Sequence, residues 1–179
     1  MTRSARKPLE KELCEKTMRL ALDNARQFLE DAEALSAQGR HRSAILLGVH
    51  AFEEIGRAGL LVWAKTLHPQ SNSEWEKFWD AFYDHQSKLR VAESNTSSTY
   101  FYEAMGMDGD ELGSYHIRQA KIFHDLRMKV AYVEISEGTV DEPRIALGNQ
   151  CSELLSAVRS ALQSDRFLPP LEPKNKLRP

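Results

Sequence analysis

The sequence predicts an all-α protein: a five-helix bundle with a long loop between the third and fourth helices. Three observations carry that prediction. Apolar residues recur three and four positions apart over several long stretches, the spacing of one helix face. No stretch shows a convincing strand alternation. One stretch, "AILLGVHAFEEIGRAGLLVW" at positions 44–63, is apolar on nearly every side, which places it at the centre of other helices.

The first helix is expected from about Leu9 to Gln38, with Met18, Leu22, Ala25, Leu29 and Ala32 on its apolar face. Gly39 ends it, because glycine adopts the positive φ that helix ends require. The second runs from about Arg42 to Leu67, and His68–Pro69 stops it. Its main stripe is Ala44, Leu47, Gly48, Ala51, Ile55, Ala58, Gly59 and Val62. These are mostly small residues, so a neighbouring backbone can come close. The third opens on "SEWE", with Ser73 as N-cap and Glu76 completing a capping box. Along it Trp75, Phe78, Phe82, His85 and Leu89 share a face. "ESNTSSTYFYEAMGMDGDELGS" then reads as a loop. The fourth helix covers roughly Tyr115 to Val133, "EISEGTVDEP" makes a turn, and the fifth covers about Pro143 to Gln163. Residues 1–7 are expected to be a flexible N-terminus, 8–163 one helical-bundle domain and 164–179 a disordered tail.

Composition narrows the classes. The chain has 179 residues, 41% hydrophobic and 28% charged, which suits one domain with a sizeable core. A net charge of -2 argues against a generic electrostatic nucleic-acid binder. The two cysteines, Cys14 and Cys151, make no metal or disulfide framework. "MTRSARKPLEKE" lacks the apolar core of a signal peptide, and charges interrupt the longest apolar stretch. The expectation is a cytoplasmic protein with no membrane partner.

The central helix carries two adjacent acids, Glu53 and Glu54, among apolar neighbours. An ionised carboxylate left unpaired there costs several kcal/mol, so each must be paired, protonated or exposed in a cleft. Candidate partners are His50 and Arg57 on the same helix, His85 and Lys88 on the third, and Arg127 on the fourth. A buried polar network follows. Two roles fit it: locking helix register, or shaping a functional cleft.

Other chemistry is scarce. The Glu-x-x-His pairs of a di-metal bundle are missing, and adjacent acids point about 100° apart, poorly placed to share an ion. Neither metal nor cofactor is expected. "RQAKIFH" sets Arg118 and His124 near the start of the fourth helix. Metal-free RNA cleavage needs a group to move the 2′-hydroxyl proton and a cation to steady the phosphate, tasks that suit histidine and arginine. Six positions along a straight helix leave them about 120° apart, so they converge only if the helix bends or a second subunit contributes. The run "EWEKFWDAFY" is read as core rather than as a base-stacking surface.

The stretch "DNARQFLEDAEALSAQGRHRSAILLGVHAFEEIGRAGLL" resembles the start of AbiV-type abortive-infection proteins of the HEPN superfamily. Asn24 and Ala25, then Ala51, Glu53, Glu54, Gly56 and Arg57, match the family pattern, with Arg57 where lysine is usual. His85 and Lys88 look like its H-x-x-K, and Lys129, Tyr132, Val133 and Glu134 resemble a final segment. The resemblance implies a small helical bundle, a homodimer, and a family site that includes the acid pair. Many HEPN proteins are metal-independent ribonucleases with an arginine, four to six residues, then histidine. That implies a phage-defence protein acting on RNA or translation, with Arg118 on the phosphate and His124 moving the proton. The alternative is a non-catalytic module that dimerises and binds a phage or host protein, or a nucleotide.

Overall fold

The structure, a computed structural model, describes residues 8–67, 69, 71–95, 109–131, 134–136, 139–141 and 147–163. The expected N-terminus at 1–7 and tail at 164–179 lie outside the described residues, as does most of the loop expected between the third and fourth predicted helices.

Helix α1 spans Lys11–Ala37 and buries Cys14, Ala21, Leu22, Ala25, Leu29 and Ala32. It closes in a Schellman arrangement: Gly39 at φ 74° donates its N–H to Ser36, and Arg40 donates to Leu35. That tight turn folds α2, His41–Leu67, back along α1. Among the described residues, helix α2 touches all five other helices, and few of its own residues are exposed. Ala44, Ile45, Val49, Ala51, Phe52, Ile55 and Ala58 are fully buried.

The predicted third helix is two helices, α3 (Asn72–Tyr83) and α4 (His85–Glu93). Asp84 divides them. Its backbone is extended, its N–H closes α3 on Asp80, and its carboxylate accepts the Ser87 N–H at 2.6 Å to open α4. One residue thus serves as both C-cap and N-cap, and His85 leaves the aromatic stripe for the first turn of α4. The capping box of α3 sits two residues before the expected one. Ser71 accepts the Glu74 N–H at 3.2 Å, and the Glu74 carboxylate accepts the Ser71 N–H at 3.0 Å.

Helix α5, Gly109–Ala131, begins six residues before its expected start and takes the end of the predicted loop. A short antiparallel hairpin follows, Glu134–Ser136 (β1) with Thr139–Asp141 (β2), registered by Ile135 opposite Val140. No strand was expected there. Three residue pairs suffice to make a ladder at a turn, too few to show as a sequence pattern. Helix α6, Gly148–Leu162, buries Cys151, Leu154, Leu155, Val158 and Ala161. The class remains all-α, with six helices rather than five among the described residues.

One core joins α1, α2, α4, α5 and α6. A smaller one gathers Cys14, Leu60, Leu61, Ala64, Trp75 and Phe78, where the aromatic run of α3 packs edge to face. Both cysteines are free and buried. Among the described residues no helix is long and apolar enough to cross a membrane.

Candidate functional site: a buried glutamate among three bases

The three glycines of the α2 interior set its distances to its neighbours. A Cβ on Gly48 would touch Leu154 of α6 at 3.0 Å, and one on Gly59 would lie 2.6 Å from Val91 Cγ1. At Gly56 the constraint is stricter: a Cβ would fall 1.9 Å from the Lys88 carbonyl oxygen and 2.5 Å from its carbon. Helices α2 and α4 are therefore in backbone contact. That contact presents the first turn of α4 to the residue one turn before Gly56 on α2, which is Glu53.

Glu53 is 4% exposed and is met by bases from two helices. His85 Nδ1 lies 2.8 Å from its Oε2, and Lys88 Nζ lies 3.6 Å from the same oxygen. From α5, Arg127 Nη1 lies 3.5 Å from Oε1. An ionised carboxylate only accepts hydrogen bonds, so His85 donates from Nδ1. The side chains form a gradient from rim to floor: His85 is 47% exposed, Arg127 19% and Lys88 4%.

Glu54 points elsewhere. Its Oε1 accepts a 2.5 Å hydrogen bond from Arg57 Nη1, three residues on. The same guanidinium stands 5.4 Å from the centre of the Phe82 ring, tying the pair to α3. Arg57 thus serves Glu54 and not Glu53, while His50 turns to the Phe28 ring of α1, 5.9 Å away.

Arg118 and His124 are not brought together within one chain. Helix α5 is unbroken from Gly109 to Ala131, so six positions separate them by about 9 Å along the axis and about 120° around it. Arg118 is exposed. His124 is half-buried, and its Nδ1 is buried with no hydrogen-bond partner among the described residues. Lys121 and Asp125 pair between them at 2.5 Å on the exposed side.

Sequence reasoning missed a second buried acid, Glu93, which is 4% exposed on α4. Burial pushes its carboxyl up to about 7. The signal lay in continuing the helix one residue past Ala92, where the loop was expected to begin: Lys88, Leu89, Ala92 and Glu93 fall on one face at helical spacing.

A cavity of about 820 Å³ opens between α2, α3 and α4 beside Trp63, Phe78 and Asn95. It shares no lining residue with the Glu53 cluster. Among the described residues, no three or more His, Cys, Asp or Glu side chains are gathered where they could hold a metal ion.

The fold and site define an all-α bundle, with one short hairpin, whose central helix carries a buried acid held by bases of its neighbours. A family model described as AbiV (HEPN_AbiV) matches residues 13–159, most of the chain, and the protein belongs to that AbiV-type HEPN family. No curated protein and no solved structure matches the chain.

Proposed function

We propose that this is a cytoplasmic abortive-infection protein of HEPN type, acting on RNA as a homodimer by metal-independent cleavage. Membership of the AbiV-type HEPN family supports the general role. The observation that carries the finer reading is the outer face of α5. Arg118 is exposed there between Ile117, 54% exposed, and Ile122, 53% exposed, with Met128 also exposed further along. Apolar side chains of that size on a charged helix favour burial against a second copy. A two-fold axis along this face would set Arg118 of one chain near His124 of the other, the convergence that a single straight helix denies.

With Nδ1 of His124 turned inward, Nε2 is the atom left to work. It takes the 2′-hydroxyl proton as that oxygen bonds to phosphorus. The bond to the 5′ oxygen breaks, and the imidazolium of the second copy protonates the leaving oxygen. Arg118 steadies the charge on the phosphate. The products are a 2′,3′-cyclic phosphate and a free 5′ hydroxyl.

The test is incubation of the purified protein with bacterial total RNA in EDTA, beside His124→Ala and Arg118→Ala. Cleavage by the wild type alone is expected. Equal cleavage by all three would assign the activity elsewhere. Cleavage by none would turn the reading to a non-catalytic module that dimerises and binds a phage or host protein.

A further inference from the structure

The cavity of about 820 Å³ between α2, α3 and α4 falls in the range of about 300–1,000 Å³ that small-molecule sites occupy. Its walls are mostly apolar: Leu60, Val62 and Trp63 from α2, Phe78 and Ala81 from α3, and Val91 from α4. Trp63 is 39% exposed although it belongs to the central helix. Its ring and that of Phe78 are parallel to within 6°, with centroids 6.4 Å apart. Rings in face-to-face contact lie only about 3.5 Å apart. The two are therefore either slid past each other or separated by nearly the thickness of a further ring. Either way Phe78 does not cover the Trp63 face, while Phe78 itself is closed in by Trp75, Trp79 and Phe82.

Much of the polar lining is engaged within the protein. Ser94 Oγ and Asn95 Nδ2 both donate to the Val91 carbonyl, each at 2.8 Å. The Glu74 carboxylate accepts the Ser71 N–H in the capping box of α3. Among the described lining residues the charged groups are Glu74 and Lys77, one of each sign, which offset each other.

We propose that this cavity binds a neutral, planar aromatic small molecule stacked on the open face of Trp63. The apolar walls stabilise such a ligand by removing its surface from water, and the stacked ring adds to that. An anionic ligand would meet no net positive charge and would lose its hydration. Arg118 and His124 lie on α5, which contributes no described residue to the cavity, so the site goes beyond the ribonuclease reading.

The probe is phenylnaphthylamine, a neutral aromatic amine that fluoresces in apolar surroundings, titrated into the full chain. Saturable binding of one molecule per chain is expected, with a rise in the thermal midpoint, since a ligand that binds the folded state stabilises it. Anilinonaphthalene sulfonate carries the same rings with a negative charge and should bind more weakly. Trp63→Leu keeps an apolar side chain but removes the ring, and should weaken the probe about tenfold, with Trp63→Phe restoring most of the loss. Ala81→Phe narrows the cavity from α3 and leaves Trp63 in place, so it should weaken binding independently. Circular dichroism checks that the variants fold. The proposal is overturned if the probe does not saturate, if neither Trp63→Leu nor Ala81→Phe weakens it, or if the sulfonate binds as tightly. A dimer in light scattering that Trp63→Leu breaks would make a second copy the occupant, and would overturn it too. Loss of cleavage in His124→Ala bears only on the ribonuclease reading, and the probe titration bears only on the cavity.

Discussion

Gly56 and Lys88 hold two helices at backbone contact: a single carbon added to Gly56 would sit 1.9 Å from the Lys88 carbonyl oxygen. The glycine of "EEIG" and the lysine of "HQSK" are thus one structural unit. The glycine makes room for α4, and α4 delivers His85 and Lys88 to Glu53. Gly56→Ala should cost about 1–3 kcal/mol or more, because the backbone it meets cannot rotate away as a side chain could. Gly39→Ala offers the contrast. Nothing lies within 4 Å of its Cβ position, so only the left-handed backbone is strained, at about 1–2 kcal/mol. Urea midpoints rank the two, and an unchanged midpoint in Gly56→Ala would contradict the contact.

Glu53→Leu should destabilise the fold by roughly 3–5 kcal/mol, since it leaves Lys88 buried without its counter-charge. Adding Lys88→Met should recover part of that loss, because the stranded charge goes with it. Denaturant melts of the four members of the double-mutant cycle give the coupling. Additive losses would mean that the two groups do not interact.

Glu93 makes stability depend on pH. Its folded carboxyl titrates at about 7 against 4.5 for the ordinary group, so between those values the folded state binds the extra proton. Stability should therefore fall as pH rises from about 4.5 through 7, by up to about 3 kcal/mol in total. Glu93→Gln should be flatter across that window and more stable than the wild type at pH 8. An identical slope in the variant would place the titration on another group.

If the outer face of α5 pairs two copies as proposed, Ile117→Asp with Ile122→Asp should leave a monomer without unfolding it, since both side chains are exposed in the single chain. Light scattering reads the mass and circular dichroism the helix content. If RNA cleavage is assembled across that face, it should fall by about 100-fold or more, the worth of a positioned proton-transfer group. A monomer that retains full cleavage would separate the chemistry from the interface.

Ser71→Ala removes the hydroxyl that accepts the Glu74 N–H and should cost about 1 kcal/mol. Ser73→Ala, at the cap position expected from sequence, should cost less.

The all-α class, the course of α1 and α2 and the centrality of α2 were legible in the sequence because each rests on a long, one-dimensional period. Twenty-seven residues with apolar positions every three or four leave little freedom of interpretation, and Gly39 marks its turn by a backbone conformation that glycine favours. The capping box of α3 was legible in kind and wrong in place. "SNSEWE" offers two serines, each with a glutamate three residues on, and local pattern does not choose between them.

Tertiary structure alone decided the rest. Whether Asp84 continues a helix or divides it depends on where α4 must go to meet Gly56, a contact between residues 32 apart in the chain. The division of the two acids, Glu53 to His85, Lys88 and Arg127 and Glu54 to Arg57 and Phe82, depends on which helix lies on which side of α2. Periodicity says that a face is buried, but it does not say against what. The sequence by itself determined that this protein is a helical bundle with acids in its central helix. Packing determined which bases those acids would meet, because the charges on separate helices acquire partners only when the helices are close enough to touch.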